Sequence, residues 1–251
     1  MALLESTDPA PCVCVNAGGK GRFVFISEHA GNLVPAKLEN LGLKDAELAD
    51  HIGWDLHIRE VGERLSQLLD VPYFCQPYSR LLIDCNRPPG APQSILDISD
   101  HRPIPGNEGL SNEDVKARQD EIFLPFHCAI ADMLDERAAR GQDTILITLH
   151  SFTPAMKSSG DDRPWQITFQ YGHDPALSKR LISLVEADPA ITVGDNVPYP
   201  VGEDTHYGIP VHGEQRGLPH TMIELRQDVI ATEDGKAFWA NKLKDVLQTI
   251  P

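Results

Sequence analysis

Cysteine is scarce in this chain and badly spaced for a structural role. The 251 residues include five, Cys12, Cys14, Cys75, Cys85 and Cys128, an odd number with no CxxC pair. That pattern argues against a disulfide framework or a zinc knuckle and suits a reducing compartment. Cys12 and Cys14, two apart, read as buried or edge residues of a strand. Positive charge is also short. Lys and Arg total 22 against 37 Asp and Glu, for a formal net charge of −15. There is no basic stripe, so neither nucleic acid nor an anionic membrane is an expected partner. An anionic small molecule remains allowed, but only where arginines gather locally. No stretch approaches the roughly 20 apolar residues of a membrane span. The N-terminal MALLESTDPAPC has acids and prolines where a signal peptide needs a basic start and a longer apolar run, so the expected location is the cytoplasm. A GxSxG elbow and a Walker-type loop are missing too; NAGGKG (16–21) has the glycines without either spacing.

What the chain does have is alternation. A hydrophobic content of 41% and a charged content of 24% are ordinary for a globular protein. Strands are expected at 22–27, across VPYFCQP (71–77) and RLLIDCN (80–86) as one strand or a strand pair, in DTILITLHSF (143–152), in WQITFQYG (165–172) and in HTMIELR (220–226). Between them fall helical stretches. One spans about 45–70, with Ile58, Val61, Leu65 and Leu68 at helical spacing. A second runs from Ser111, with Asp114 completing a capping box, to Arg140, with Gly141 as its stop and Pro125 as a kink. A third is capped by Asp174-Pro175 and reaches Ala187, and a last one covers about 233–249. Residues 88–110, rich in Pro, Gly and Asp, form a long loop of the kind that often carries function. With no repeat, low-complexity tract or linker, the expectation is a single domain, 1–251. Its fold is an α/β sandwich around a mixed, mostly parallel sheet.

In such sheets, sites collect at the C-terminal ends of strands. His29 follows FVFIS, His150 follows TILITL, and Glu224 lies within TMIELR, while Asp55 falls early in the helical stretch beyond His29. Two histidines and a carboxylate that leave a position open make a common catalytic zinc set, although no compact HExxH is present. Glu224 shares its strand face with Arg226. It is either the partner of that arginine or a general base, since a buried carboxylate must be paired or used. Arg80 and Arg87 flank an apolar run, with Asn86 beside Arg87. That arrangement suits a bidentate grip on a carboxylate, and Arg226 is a further candidate for the anchor. His206, His212 and His220 are candidates to line the site. His51, His57, His101, His127 and His173 read as surface or capping residues.

Five segments, in order, carry a resemblance: SEHAGN (27–32), HIGWD (51–55), YSRLLIDCNRP (78–88), LHSFTP (149–154) and IELRQD (223–228). In these the sequence resembles the N-formylglutamate amidohydrolases. That resemblance implies a three-layer α/β/α sandwich of the zinc-dependent exopeptidase (phosphorylase/hydrolase-like) kind, with one catalytic zinc per chain. It implies His29, Asp55 and His150 as metal ligands, with Asp50 and Glu28 as nearby alternatives to Asp55. Glu224 matches the catalytic glutamate, Arg80 an arginine that supports the scissile carbonyl, and Asn86-Arg87 a pair that holds a substrate carboxylate. The implied substrate is a small anionic N-acyl amino acid, N-formyl-L-glutamate first among them, with formate and glutamate as products of a histidine-degradation step. Other amide hydrolases on the same scaffold, such as a peptidase or a cell-wall amidase, and a non-catalytic binding protein are the rivals. Homo-oligomerisation stays open.

Overall fold

Seven strands form the central sheet of the computed structural model, which describes residues 2–155 and 162–251. They are β1 (Val13–Val15), β2 (Phe23–Ser27), β3 (Tyr73–Cys75), β6 (Ile145–Phe152), β7 (Ile167–Gln170), β8 (Val193–Asp195) and β9 (His220–Arg226), in the order β1-β3-β2-β6-β9-β7-β8. A two-stranded hairpin, β4 (Ile98–Ser99) and β5 (Arg102–Pro103), stands apart. Within the main sheet β3, β2, β6 and β9 run parallel to their neighbours, as do β7 and β8, while β1 and β7 meet β3 and β9 antiparallel. The mixed, mostly parallel sheet is therefore as expected, and Cys14 does lie in an edge strand.

The strands are apolar on both faces because both are covered. Alternation sends Phe23 and Phe25 into one core, beside Ile145, Ile147 and Leu149. Val24, Ile26 and Leu146 point into the other. The first core is closed by α2 (Ile58–Leu69), α5 (Ala176–Glu186) and α6 (Glu233–Leu247), through Leu65, Leu181 and Trp239 among others. The second is closed by the 78–107 segment and α4 (Leu124–Ala139), through Leu82, Phe126 and Ile130. This gives three α/β/α layers. No helix among the described residues is long and apolar enough to cross a membrane.

Two sequence expectations fail in an informative way. The stretch 45–70 is not one helix but α1 (Asp45–Leu48), an irregular passage, and α2. The passage is held by tertiary bonds that helix formation would forfeit. Asp55 N donates to His29 O at 2.9 Å, and Gly53 O accepts from Arg80 N at 3.2 Å and from Ser79 Oγ at 2.7 Å. RLLIDCN is not a strand either. It is a buried run of turns, with Leu82 N on Ser79 O at 2.9 Å and Arg87 N on Asp84 O at 3.1 Å. Its apolar residues pack into the second core, and a buried turn has the same composition as a buried strand.

The 111–140 helix behaves as expected at both ends. Ser111 and Asp114 exchange backbone-to-side-chain bonds at 3.2 Å each, and Gly141 takes φ +65° just past the end. Between α3 (Asn112–Arg118) and α4 lies a wide π-type turn, Gln119–Phe123, with Leu124 between it and Pro125. Proline lacks the N–H a regular turn would use, so the irregularity falls at its N-terminal side.

Gly31 explains part of the SEHAGN motif. A Cβ there would lie 2.1 Å from Pro77 O, which also accepts from Leu33 N at 3.1 Å. Neither backbone can give way without loosening the loop that carries His29. Gly31→Ala is therefore expected to destabilise the protein by about 1–3 kcal/mol, read as a lower denaturant midpoint. An unchanged midpoint would show that the close approach is not what requires glycine.

Candidate active site

The parallel pairing of β6 and β9 places His150 directly beside Glu224. On the other side of β6, β2 runs in register with Ile26 opposite Thr148, so the chain leaving β2 carries Glu28 and His29 into the same space. The passage before α2 brings Asp55 up from below, and the 78–87 turns supply Arg80, Asp84, Asn86 and Arg87. The side chains of His29, Asp55, His150, Glu28, Asp84 and Glu224 are all buried.

Their contacts define two shells. His150 Nδ1 lies 2.8 Å and His29 Nδ1 3.5 Å from Asp55 Oδ2. The far nitrogens face other carboxylates, His29 Nε2 at 2.7 Å from Asp84 Oδ1 and His150 Nε2 at 3.1 Å from Glu28 Oε2. Asp84 is itself fixed by Asn86 N at 2.8 Å and Arg80 Nη2 at 3.2 Å. Arg80 Nη1 reaches Asp55 Oδ1 at 3.3 Å, and Ser151 N also donates to Asp55 Oδ2 at 3.3 Å.

Could these residues hold a cation? One donor atom each from His29, Asp55 and His150 lies within 4.8 Å of the others. His29 Nδ1 is buried with no hydrogen-bond partner among the described residues, which is costly unless something else binds it. Outer carboxylates that fix each imidazole from behind are the usual support for a metal-binding histidine. Four buried carboxylates here outnumber the single Arg80 guanidinium that bridges two of them. The donor set thus fits one divalent metal with an open position.

Protonation follows the same charge balance. Burial alone would lower the His150 imidazole, but Asp55 and Glu28 overcome it and push the value up to about 10. Burial would raise Asp55 and Asp84, yet the neighbouring histidines, with Arg80 at Asp84, hold both well below the usual carboxylate range. Glu224 goes the other way. Burial raises its carboxyl and His150 opposes this only in part. Its Oε2 has no hydrogen-bond partner among the described residues.

Most of the sequence candidates converge. His29, Asp55, Arg80, Asn86, Arg87, His150 and Glu224 all line one cleft, as does His206. Asn86 is committed on one side, its Oδ1 accepting from Tyr207 N at 3.1 Å and Gly208 N at 3.2 Å. Arg87 donates to Asn86 O at 3.1 Å and has no carboxylate partner among the described residues. Arg226 is the exception. It donates to the carbonyls of Arg163 and Pro164 at 3.1 Å each and pairs with Asp228 at 2.7 Å. It therefore neither faces the cleft nor neutralises Glu224, because a strand's last residue can turn its long side chain to the neighbouring loop.

Other residues were misjudged from sequence. Asp50 belongs to a rim network with His51 and Arg102, at 2.9 and 2.6 Å, not to the inner cluster. His51 lines the cleft, where it also meets Asp100 at 3.1 Å. His127 is buried, its Nε2 on Cys85 O at 2.8 Å and its Nδ1 on His212 Nε2 at 2.9 Å. His212 and His220 stand outside the cleft lining. Asp84, hidden inside an apparent strand, Arg163 and Tyr199 were missed. The signal for Asp84 was available, as an ionisable group two residues before Asn86 in an otherwise apolar run.

A family model described as N-formylglutamate amidohydrolase matches residues 21–231. Among solved structures, a gene product of Agrobacterium tumefaciens is similar with a TM-score of 0.94 and 31% identity, covering 98% of this chain and 96% of that one. An N-formylglutamate amidohydrolase from Ralstonia eutropha JMP134 shares the fold, with a TM-score of 0.71 and 17% identity over 95% of this chain and 96% of that one. No protein of curated function matches the sequence.

Proposed function

Because the chain belongs to the N-formylglutamate amidohydrolase family, we propose that it is a zinc-dependent amidohydrolase that cleaves the amide bond of an N-acyl amino acid, with N-formyl-L-glutamate as the leading substrate. The observation that carries this reading is the buried His29–Asp55–His150 cluster beside a Glu224 oxygen with no hydrogen-bond partner among the described residues. A zinc ion held by those three residues would polarise the acyl carbonyl and make the attacking water more acidic.

The chain's own groups do the rest. Glu224 takes the proton of the attacking water and passes it to the leaving amine. Its raised pKa makes it a stronger base toward that water and keeps the proton on the carboxyl until the amine departs. Arg80, anchored by Asp55 and Asp84, presents positive charge where the acyl oxygen gains negative charge. Arg87, with the amide of Asn86, holds the amino acid's carboxylate and so fixes the register of the scissile bond. Asp84 and Glu28 keep the two imidazoles oriented with Nδ1 inward. One such centre per chain, acting on a small soluble anion, requires no nucleic acid or membrane partner, and a cytoplasmic setting is consistent with it.

A hydrolysis panel of N-formyl, N-acetyl and N-succinyl amino acids tests the reading. The highest kcat/KM is expected for N-formyl-L-glutamate. Turnover of peptides with none of the acyl amino acids would contradict it.

A further inference from the structure

His206 reaches the cleft on a segment that is fixed residue by residue. The Tyr207 ring packs toward the second core, its centroid 4.8 Å from that of Phe123 and 4.4 Å from that of His127. The backbone N–H groups of Tyr207 and Gly208 both donate to Asn86 Oδ1, at 3.1 and 3.2 Å. Gly208 sits so close to Glu28 that a Cβ there would lie 2.0 Å from Glu28 Oε1. These contacts set His206 beside the Asn86-Arg87 pair, and its buried side chain lines the cleft.

The tautomer of the imidazole is fixed as well. Its Nδ1 accepts from Gly202 N at 3.4 Å, and Thr205 Oγ1 lies 3.0 Å from the same nitrogen. A backbone N–H can only donate, so Nδ1 carries no proton and the neutral ring has its N–H at Nε2. That Nε2 has no hydrogen-bond partner among the described residues. Burial, with the Arg87 charge second, pushes the imidazole down to about 4, which keeps it neutral near pH 7. Arg87 also has a donor to spare, since its Nε is buried with no hydrogen-bond partner among the described residues. Two donors from separate segments thus stand together with no acceptor between them, and buried donors need one. A neutral donor suits this place, because a second cation would be repelled by Arg87.

We infer that His206 is a substrate-binding residue whose Nε2–H donates to the carboxylate that Arg87 grips, so that one anionic group is held jointly by a charged fork and a neutral donor. The inference rests on the amidohydrolase reading above. It gives Asn86 a further role as the positioning residue of the pair. Its Oδ1 fixes the 206–208 backbone, while Arg87 is its neighbour in the chain.

The test compares wild type, His206→Phe, His206→Gln, Arg87→Ala and the double variant His206→Phe/Arg87→Ala. Two quantities are read. One is kcat and KM for N-formyl-L-glutamate in the zinc-loaded enzymes. The other is its Kd by calorimetry in the same set built on Glu224→Gln, where turnover is slow. His206→Phe keeps a ring without a donor and should raise KM and Kd by ~10–100-fold, the scale of a hydrogen bond to a charged group. His206→Gln presents an N–H close to the place of Nε2 and should stay within a few-fold of the wild type. Once Arg87 is removed, His206→Phe should cost only a few-fold more, because the two residues act on one carboxylate and their effects are coupled. Zinc content should be the same throughout. Equal losses in His206→Phe and His206→Gln, losses that multiply with Arg87→Ala, or an unchanged Kd in His206→Phe would each overturn the inference and leave the amidohydrolase reading standing. A wild type that neither binds nor hydrolyses any N-acyl amino acid overturns both.

Discussion

Glu224→Gln is expected to lower kcat by about 10²–10⁴-fold, the usual contribution of a general acid–base, with metal content unchanged. Glutamine fills the same volume beside His150 but cannot take a proton from water. Stability separates this role from a structural one. The Glu224 carboxyl is raised by burial, so its folded state binds a proton more readily than its unfolded state does. Such a group contributes stability at low pH that is lost as pH rises through the raised folded value. In its ionised form the buried side chain is therefore a burden, and the glutamine variant should be as stable as the wild type or more so. Lower stability with full turnover per folded molecule would make Glu224 a scaffold residue.

His150→Ala is expected to weaken metal binding by more than the 10–100-fold that loss of an outer partner costs, since it removes a proposed ligand outright. His150 lies between Asp55 and Glu28, and without it two buried carboxylates face each other across a void. Metal content by elemental analysis and competition with a chelator measures the effect. Asp50→Ala is the matched control. Asp50 lies in the rim network with His51 and Arg102, so metal content should be kept there. Equal zinc content in wild type and His150→Ala would remove His150 from the ligand set.

The legible part of this protein is what local pattern encodes. β6 and β9 were visible because strands buried on both faces read as continuous apolar runs, and the polar residues breaking those runs, His150 and Glu224, stood out for that reason. Ser111 and Gly141 marked their helix ends because capping is decided within four residues. What stayed hidden depends on distant partners. The 49–57 passage gives up helix for bonds to residues more than twenty positions away, and RLLIDCN has a strand's composition in a turn's geometry. Asp84 was lost with that misreading. Arg163 carried no local signal, because its partners are distant in sequence: the Tyr199 hydroxyl to which it donates, and the Arg226 guanidinium that donates to its carbonyl. His127 looked like a surface residue until the fold set it against His212.

The most direct test of the account is formate release from N-formyl-L-glutamate by purified protein before chelation, after chelation, and after stepwise return of zinc. The account predicts that activity disappears with the metal and returns in proportion to zinc, saturating at about one equivalent per chain. Undiminished hydrolysis by the fully chelated protein, at the same rate and with the same dependence on Glu224, would contradict it.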